Sequence, residues 1–237
     1  GVEAGKVALA AQGVAGIMAF APEALVMGSL SVVNTFVSQN LGAGRHHRCG
    51  QYAWSGLTLA LMAAAIIFPL GLLVARPLFA ALNPGGAAEA LLSSQPLVRM
   101  EIMYFRWMVF GTLLTLPSRV LEGFFFGIHR PMLVFIISLS SNVYNVLGNY
   151  ALIFGHWGFP RLELEGAAIA SVSSWALQLI LLLVVFLSTR MNLRFATRRV
   201  GWHVREHWRE IIGVGWPAGI QFFNDIISWA IFNALLV

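Results

Sequence analysis

Charge is scarce in this chain: only 11% of its 237 residues are Asp, Glu, Lys or Arg, against about a quarter in soluble domains. That excludes a conventional water-soluble fold. Cysteine is nearly absent, with Cys49 alone, so neither a disulfide framework nor a cysteine metal site can form. Aspartate also occurs once, as Asp225. No secretory signal is visible, and the glycines at Gly42-Ala43-Gly44 and Gly85-Gly86 begin no phosphate-binding pattern. The chain starts at Gly1 rather than Met and ends within an apolar run. It is expected to be an internal piece of a longer protein, with the remainder of that protein as its partner.

What is present is hydrophobic: 58% of the residues, with a mean hydropathy of +0.76. A transmembrane helix needs roughly 20 apolar residues, and such runs recur. Tyr52–Ala75, Pro131–Gly155 and Gly166–Thr189 hold no formal charge, and Ile211–Val237 holds only Asp225. Val7–Gly44 holds only Glu23, while Met100–Ile128 carries Glu101, Arg106, Arg119 and Glu122. The pattern predicts an all-α, polytopic transmembrane helix bundle with six spans. Val7–Gly44 is read as one long, tilted or bent helix, because a break at Pro22-Glu23 would leave its first piece too short.

Most of the loop arginines fall in alternate loops, while the opposite loops carry Arg76 and Arg99 at the membrane edge and Arg161 beside Glu163 and Glu165. Arg45-His46-His47-Arg48, His129-Arg130 and the run from Arg190 to Arg209 share one side, which should be cytoplasmic. Residues 76–99 and 156–165 should face the other way. The pI near 10.1 therefore reflects topology, with the lipid bilayer and not nucleic acid as partner.

Asp225 sits in the middle of the last apolar run. A carboxylate at bilayer depth costs about 2.5–3.5 kcal/mol even on the lenient insertion scale. Gln221, Asn224, Asp225 and Ser228 fall at i, i+3, i+4 and i+7, one stripe of a helix. A polar stripe with a central acid on a membrane helix reads as an ion or substrate path; the bland alternative is a fixed pair with the rest of the protein. A second polar face runs through Ser138, Asn142, Asn145 and Asn149. Such residues also serve as interhelical glue, at about 0.6 kcal/mol each. Glu23 could line a cavity and attract cations, or pair with Arg106 or Arg119. Arg119 and Glu122, at i and i+3, neutralise each other.

Val37-Ser38-Gln39-Asn40-Leu41-Gly42-Ala43-Gly44-Arg45 resembles the signature closing the second transmembrane helix of the MATE (multidrug and toxic compound extrusion) family. Arg119-Val120-Leu121-Glu122-Gly123 through His129-Arg130-Pro131 looks like the end of its fourth helix. Asn145 to Gly155, followed by Gly166-Ala167-Ala168-Ile169-Ala170-Ser171, is similar to its fifth helix, outer loop and start of the sixth. Gly215-Trp216-Pro217 with Asp225 behind it resembles the opening of the seventh. The resemblance covers essentially the whole chain as helices two to seven of twelve. It implies residues 1–189 as helices of an N-terminal lobe, 190–210 as a basic cytoplasmic connector and 211–237 as the first helix of a C-terminal lobe.

It further implies a secondary antiporter in the bacterial inner membrane, exporting organic, often cationic, drugs against Na+ or H+. No cofactor beyond that coupling ion and no enzymatic activity are expected. Asp225, with Gln221, Asn224 and Ser228 beside it, matches the acidic site of the seventh helix. Asn145, Asn149 and Ser171 match the first-lobe site, where the family often has an acid at the position of Asn149; an amide there cannot titrate but can still coordinate a cation. Two alternatives stand beside this reading. A lipid-linked saccharide flippase of the same superfamily would favour an arginine-rich cavity. A membrane metallopeptidase would use His203-Val204-Arg205-Glu206-His207, which matches the H-x-x-E-H pattern. That segment sits instead in an Arg- and Trp-rich connector, whose composition suits an amphipathic helix on anionic lipid.

Overall fold

The computed structural model describes residues 2–82, 96–199 and 202–236. The expected outer loop, with Gly85 and Gly86, lies largely outside the described residues. The described chain is helical, in the order α1 (Val2–Leu30), α2 (Val32–Gly42), α3 (His46–Leu82), α4 (Pro96–Gly127), α5 (Pro131–Phe154), α6 (Glu163–Phe186), α7 (Thr189–Phe195), a 3₁₀ turn (Trp202–Arg205) and α8 (Trp208–Leu236).

Among the described residues five stretches are long and apolar enough to cross a membrane: Ala11–Gly42, His46–Leu82, Leu97–Gly127, Pro131–Phe154 and Glu163–Phe186. They answer to the first five expected spans and make the chain a multi-pass membrane protein. The expected sixth forms as a continuous helix of 29 residues, α8, but is not among the five. Its polar stripe from Gln221 to Ser228 dilutes its apolar character.

The first span is bent, as expected, but not at its proline. Pro22 lies inside α1, and the break comes at Ser31. There the Ser31 hydroxyl donates to the Gly28 carbonyl at 2.7 Å and the backbone N–H reaches both Met27 and Gly28 carbonyls. A hydroxyl bonding back to the preceding turn competes with the helix ladder and bends it. Elsewhere local chemistry sets the ends. Pro131 opens α5 at its first position, where a missing N–H costs nothing. Gly155 closes it with φ +74°, in the left-handed region.

The core lies around α4. Phe124 packs edge-on against Phe125, Phe186 and Phe195, and Leu116, Val120 and Leu121 are fully buried beside it. By contrast α3 and α5 expose Leu61, Ile66, Leu73, Ile136 and Val146. Apolar surface of this extent on long helices is what lipid contact requires.

The described residues of the connector do not form the one amphipathic helix expected. They split into α7 and a 3₁₀ turn and dock against the end of α3. Met191, Phe195 and Thr197 are buried, and the Trp54 indole donates to the Thr197 carbonyl at 2.8 Å. His207 is buried and stacks on Tyr52 at 4.2 Å, whose other face lies on Phe36 at 4.9 Å. The Tyr52 hydroxyl donates to Glu210, and the Trp208 indole donates to Thr58 at 3.1 Å. Buried tyrosine and tryptophan usually find a hydrogen-bond partner for their polar end, as do Tyr52 and Trp208 here. The His203 side chain lies outside the described ones. Among the described residues no three His, Cys, Asp or Glu converge as a metal site.

Helix α8 packs chiefly on α1, and glycine makes the contact possible. A Cβ on Gly28 would fall 2.6 Å from the Ala218 carbonyl oxygen and 2.8 Å from the Gly219 Cα. A Cβ on Gly215 would collide with the Ser29 backbone carbonyl. Backbones this close are the mark of small-residue packing between membrane helices, spaced here as Gly215-x-x-x-Gly219.

Candidate functional site

Two adjoining clefts lie between the helices. One, of about 340 Å³, lies between α1, α4 and α8, with Met27, Ser31, Arg119, Gln221, Phe222 and Asp225 on its walls. The other, of about 230 Å³, is formed by α4, α5 and α6 beside Met27, with Arg119, Glu122, Ser138, Asn142, Trp175 and Gln178. Met27 and Arg119 belong to both.

The stripe on α8 divides. Gln221 and Asp225, four residues apart and hence on one helix face, open into the first cleft. Asn224 and Ser228 are exposed beside that wall and not on it.

Asn145, Asn149 and Ser171 come together at the α5–α6 contact. Asn149 Nδ2 donates to Asn145 Oδ1 at 3.0 Å, Asn145 Nδ2 reaches Ser171 Oγ at 3.5 Å, and Ser171 donates to the Ala167 carbonyl at 2.9 Å. The chain ends on Asn149 Oδ1, a buried acceptor with no hydrogen-bond partner. A buried carbonyl oxygen left unsatisfied costs about 1–3 kcal/mol; a cation or a water would relieve it. This group does not line the cleft of Asp225.

Glu23 is buried, and the Thr115 hydroxyl donates to its Oε1. It is not among the residues lining either cleft. The ion pair that Arg119 makes is with Glu122, at 3.1 Å, as the i, i+3 spacing suggests.

That pair is lopsided. The Glu122 side chain is 9% exposed and the Arg119 side chain 55%. Glu122 is gripped a second time by Gln178 Nε2 at 2.6 Å, which also reaches Ser138 at 3.4 Å. The sequence reading missed Gln178 and Thr115. The signal for Gln178 was its position seven residues after Ser171 and four after Ser174, an amide on the polar face of an otherwise apolar run. Gly111 lets the Trp175 ring lie against α4, because a Cβ there would collide with it.

Membrane-spanning helices that turn charged side chains into a cleft between them are a feature of membrane transport proteins. The chain belongs to the MatE family, whose model matches residues 2–151. It is 28% identical over 217 residues to a probable multidrug resistance protein NorM of Synechocystis sp., covering 91% of this chain and 45% of that protein. It is 27% identical over 220 residues to a FAD transporter of Shewanella oneidensis, covering 91% of this chain and 46% of that protein. Its fold matches the crystal structure of the eukaryotic MATE transporter AtDTX14 with a TM-score of 0.75 at 20% identity, over 94% of this chain and 47% of that one. The chain therefore spans about half the length of the curated relatives it matches.

Proposed function

We propose that the protein carrying this chain is a secondary antiporter that exports organic cations in exchange for Na+ or H+, and is not an enzyme. Residues 1–189 are helices of one lobe, 190–210 the connector and 211–237 the first helix of the second lobe. The observation that carries the reading is Asp225, the only aspartate, placed on the wall of a cleft between α1, α4 and α8. A carboxylate kept in a membrane helix and turned to a cavity attracts a cation and can exchange it. Its Gln221 neighbour adds neutral acceptor and donor atoms, and Met27 and Phe222 supply apolar walls suited to an amphiphilic drug. The amide chain at Asn145 and Asn149, with its unsatisfied oxygen, supports a second cation contact. Membrane topology with most of the loop arginines in alternate loops supports an inner-membrane location, with the connector inside.

The test uses the whole transporter in proteoliposomes. Efflux of an organic cation is expected to follow an imposed Na+ or H+ gradient and to stop when that gradient is collapsed; flux indifferent to both gradients overturns antiport. Orientation is checked separately. In a Cys49→Ser background, a cysteine placed at residue 158 should react with an impermeant maleimide added to intact cells, and one at residue 198 should not. The reverse pattern overturns the orientation.

The FAD-transporting relative makes a second reading worth stating, because Arg119 faces the same cleft as Asp225. A guanidinium there would suit a substrate bearing an anion. The saccharide flippase remains the less supported form of that reading, since Arg119 is the one arginine on the walls of the two clefts.

A further inference from the structure

A groove of about 720 Å³ lies where α4 turns into α5 and shares no lining residue with either cleft. His129 and Arg130 stand at one end of it, while Leu133, Ile136 and Ile137 of α5 and Val185 of α6 line the rest. The three α5 positions fall at i, i+3 and i+4, one helix face. Val185 is one residue short of the end of α6, and Arg130 one residue before the start of α5. The groove therefore opens at the membrane surface that these two helix ends share. At 1.5 Å of rise per residue it descends about 10 Å from Arg130 to Ile137, roughly a third of the hydrocarbon core.

The turn fixes the basic end. The Arg130 N–H donates to the Phe125 carbonyl at 2.9 Å and the His129 N–H to the Phe126 carbonyl at 3.0 Å. Arg130 is half-buried, and the ion pairs formed among the described residues lie elsewhere. No acid lines the groove. An occupant must bring a negative charge to one end and aliphatic carbon to the other. It must also bring no ammonium group, since nothing on the walls receives one and the guanidinium repels it. Arginine takes a phosphate through two parallel N–H···O bonds, and basic positions between helices at a membrane surface suit anionic head groups. Met132 and Ile136 are more than half exposed, so the apolar part of the groove opens outward, where an acyl chain can lie along it.

We infer that the α5–α6 groove is a binding site for one anionic phospholipid, with Arg130 holding the phosphate, His129 beside it, and an acyl chain along Leu133, Ile136 and Val185. The site depends neither on antiport nor on which side of the membrane the connector occupies.

The test uses the whole transporter in detergent, freed of its other cysteines, with Met132→Cys carrying a bimane fluorophore at the rim of the groove. Met132 is 67% exposed, so the label need not enter the bundle. The quenchers are phosphatidylglycerol and phosphatidylcholine with identical brominated acyl chains. Phosphatidylglycerol is expected to quench at about fivefold lower concentration, the size of one arginine's contribution near an anionic surface. Arg130→Gln should bring the two lipids level. With the label moved to Leu61→Cys, on the exposed face of α3, the lipids should quench alike. Raising the salt from about 0.05 to about 0.5 M should shrink the preference at Met132, a check that needs no change at Arg130. Equal quenching by the two lipids at Met132, a preference that survives Arg130→Gln or high salt, or the same preference at Leu61 overturns the site. Quenching at Leu61 with none at Met132 means that another segment of the transporter fills the groove, and overturns it as well. Glycerol phosphate, which lacks acyl chains, should not relieve the quenching; relief at the concentration of the lipid would leave a site for phosphate alone and overturn the lipid.

Discussion

Asp225→Asn in the whole transporter should cut gradient-driven efflux of an organic cation by roughly tenfold to a hundredfold. The change keeps the shape of the side chain and one acceptor oxygen, turns the other oxygen into an amide donor, and removes the charge. Two unit charges 4 Å apart attract by about 4 kcal/mol at an effective dielectric constant of 20. Water in an open cleft screens part of this, and the remainder still outweighs one hydrogen bond, about 1 kcal/mol. Insertion should be unharmed, because an amide costs less than an acid at bilayer depth. Asp225→Glu, which restores the charge one methylene further out, should recover part of the flux. Asn142 lines the neighbouring cleft from α5, and Asn142→Ala should lower flux only a few-fold, since it deletes one neutral contact. The measurement is initial efflux rate in proteoliposomes under each gradient. Wild-type rates and unchanged gradient dependence in Asp225→Asn would show that the carboxylate has no part in coupling, leaving a structural pair with another segment.

The helices were legible in the residues because a membrane span needs little beyond length and apolarity. Each expected run appears, and the structure extends several of them at the ends, as in His46–Leu82 against Tyr52–Ala75. Charged or polar ends continue a helix past the lipid at no cost, so hydropathy alone underestimates its length. The bend of the first span was legible as a fact and not as a position. Proline drew attention to residue 22, yet a lipid-embedded helix tolerates the lost bond, and a serine back-bond at residue 31 made the turn. The connector was read from composition as lipid-bound. Its described aromatic residues also find partners on α3, through contacts such as Tyr52 with His207 and Trp208 with Thr58, about 150 residues apart in sequence, which composition does not show.

For the candidate site, periodicity placed Gln221 and Asp225 on one face, and the cleft contains both. Periodicity likewise placed Asn145 and Asn149 together, and they are hydrogen-bonded. What spacing could not give was the inequality within the Arg119–Glu122 pair. An i, i+3 rule makes the two residues neighbours without saying which one is enclosed. That was decided by Gln178, 56 residues away, which holds Glu122 in place.

The contact between α1 and α8 leads to the last expectation, a reversal of sign between two glycines on one helix. Gly213 and Gly215 both lie inside α8, where glycine is less favourable than alanine by about 0.8–1.0 kcal/mol in a helix interior. A Cβ at Gly213 meets nothing within 4 Å. Gly213→Ala should therefore stabilise the protein, by up to that amount. A Cβ at Gly215 would run into the Ser29 carbonyl, with its carbon 3.0 Å and the Ser29 Cα 3.2 Å away. These are backbone atoms, which cannot swing aside as a side chain can. The two helices must separate, and overpacking of this kind costs about 1–3 kcal/mol, more than the propensity gain. Gly28→Ala meets the same interface from α1, against the Ala218 carbonyl and the Gly219 Cα, and should be destabilising to a similar degree. Thermal unfolding in detergent, followed by tryptophan fluorescence, measures all three. The expected order of midpoints is Gly213→Ala above wild type, and Gly215→Ala and Gly28→Ala below it. Because α8 carries Asp225 and α1 carries Met27 on the same cleft, separating them should also widen the cleft and weaken binding of the organic cation. A Gly215→Ala protein as stable as Gly213→Ala would mean that the two helices are not in backbone contact, and the cleft between them would lose its wall.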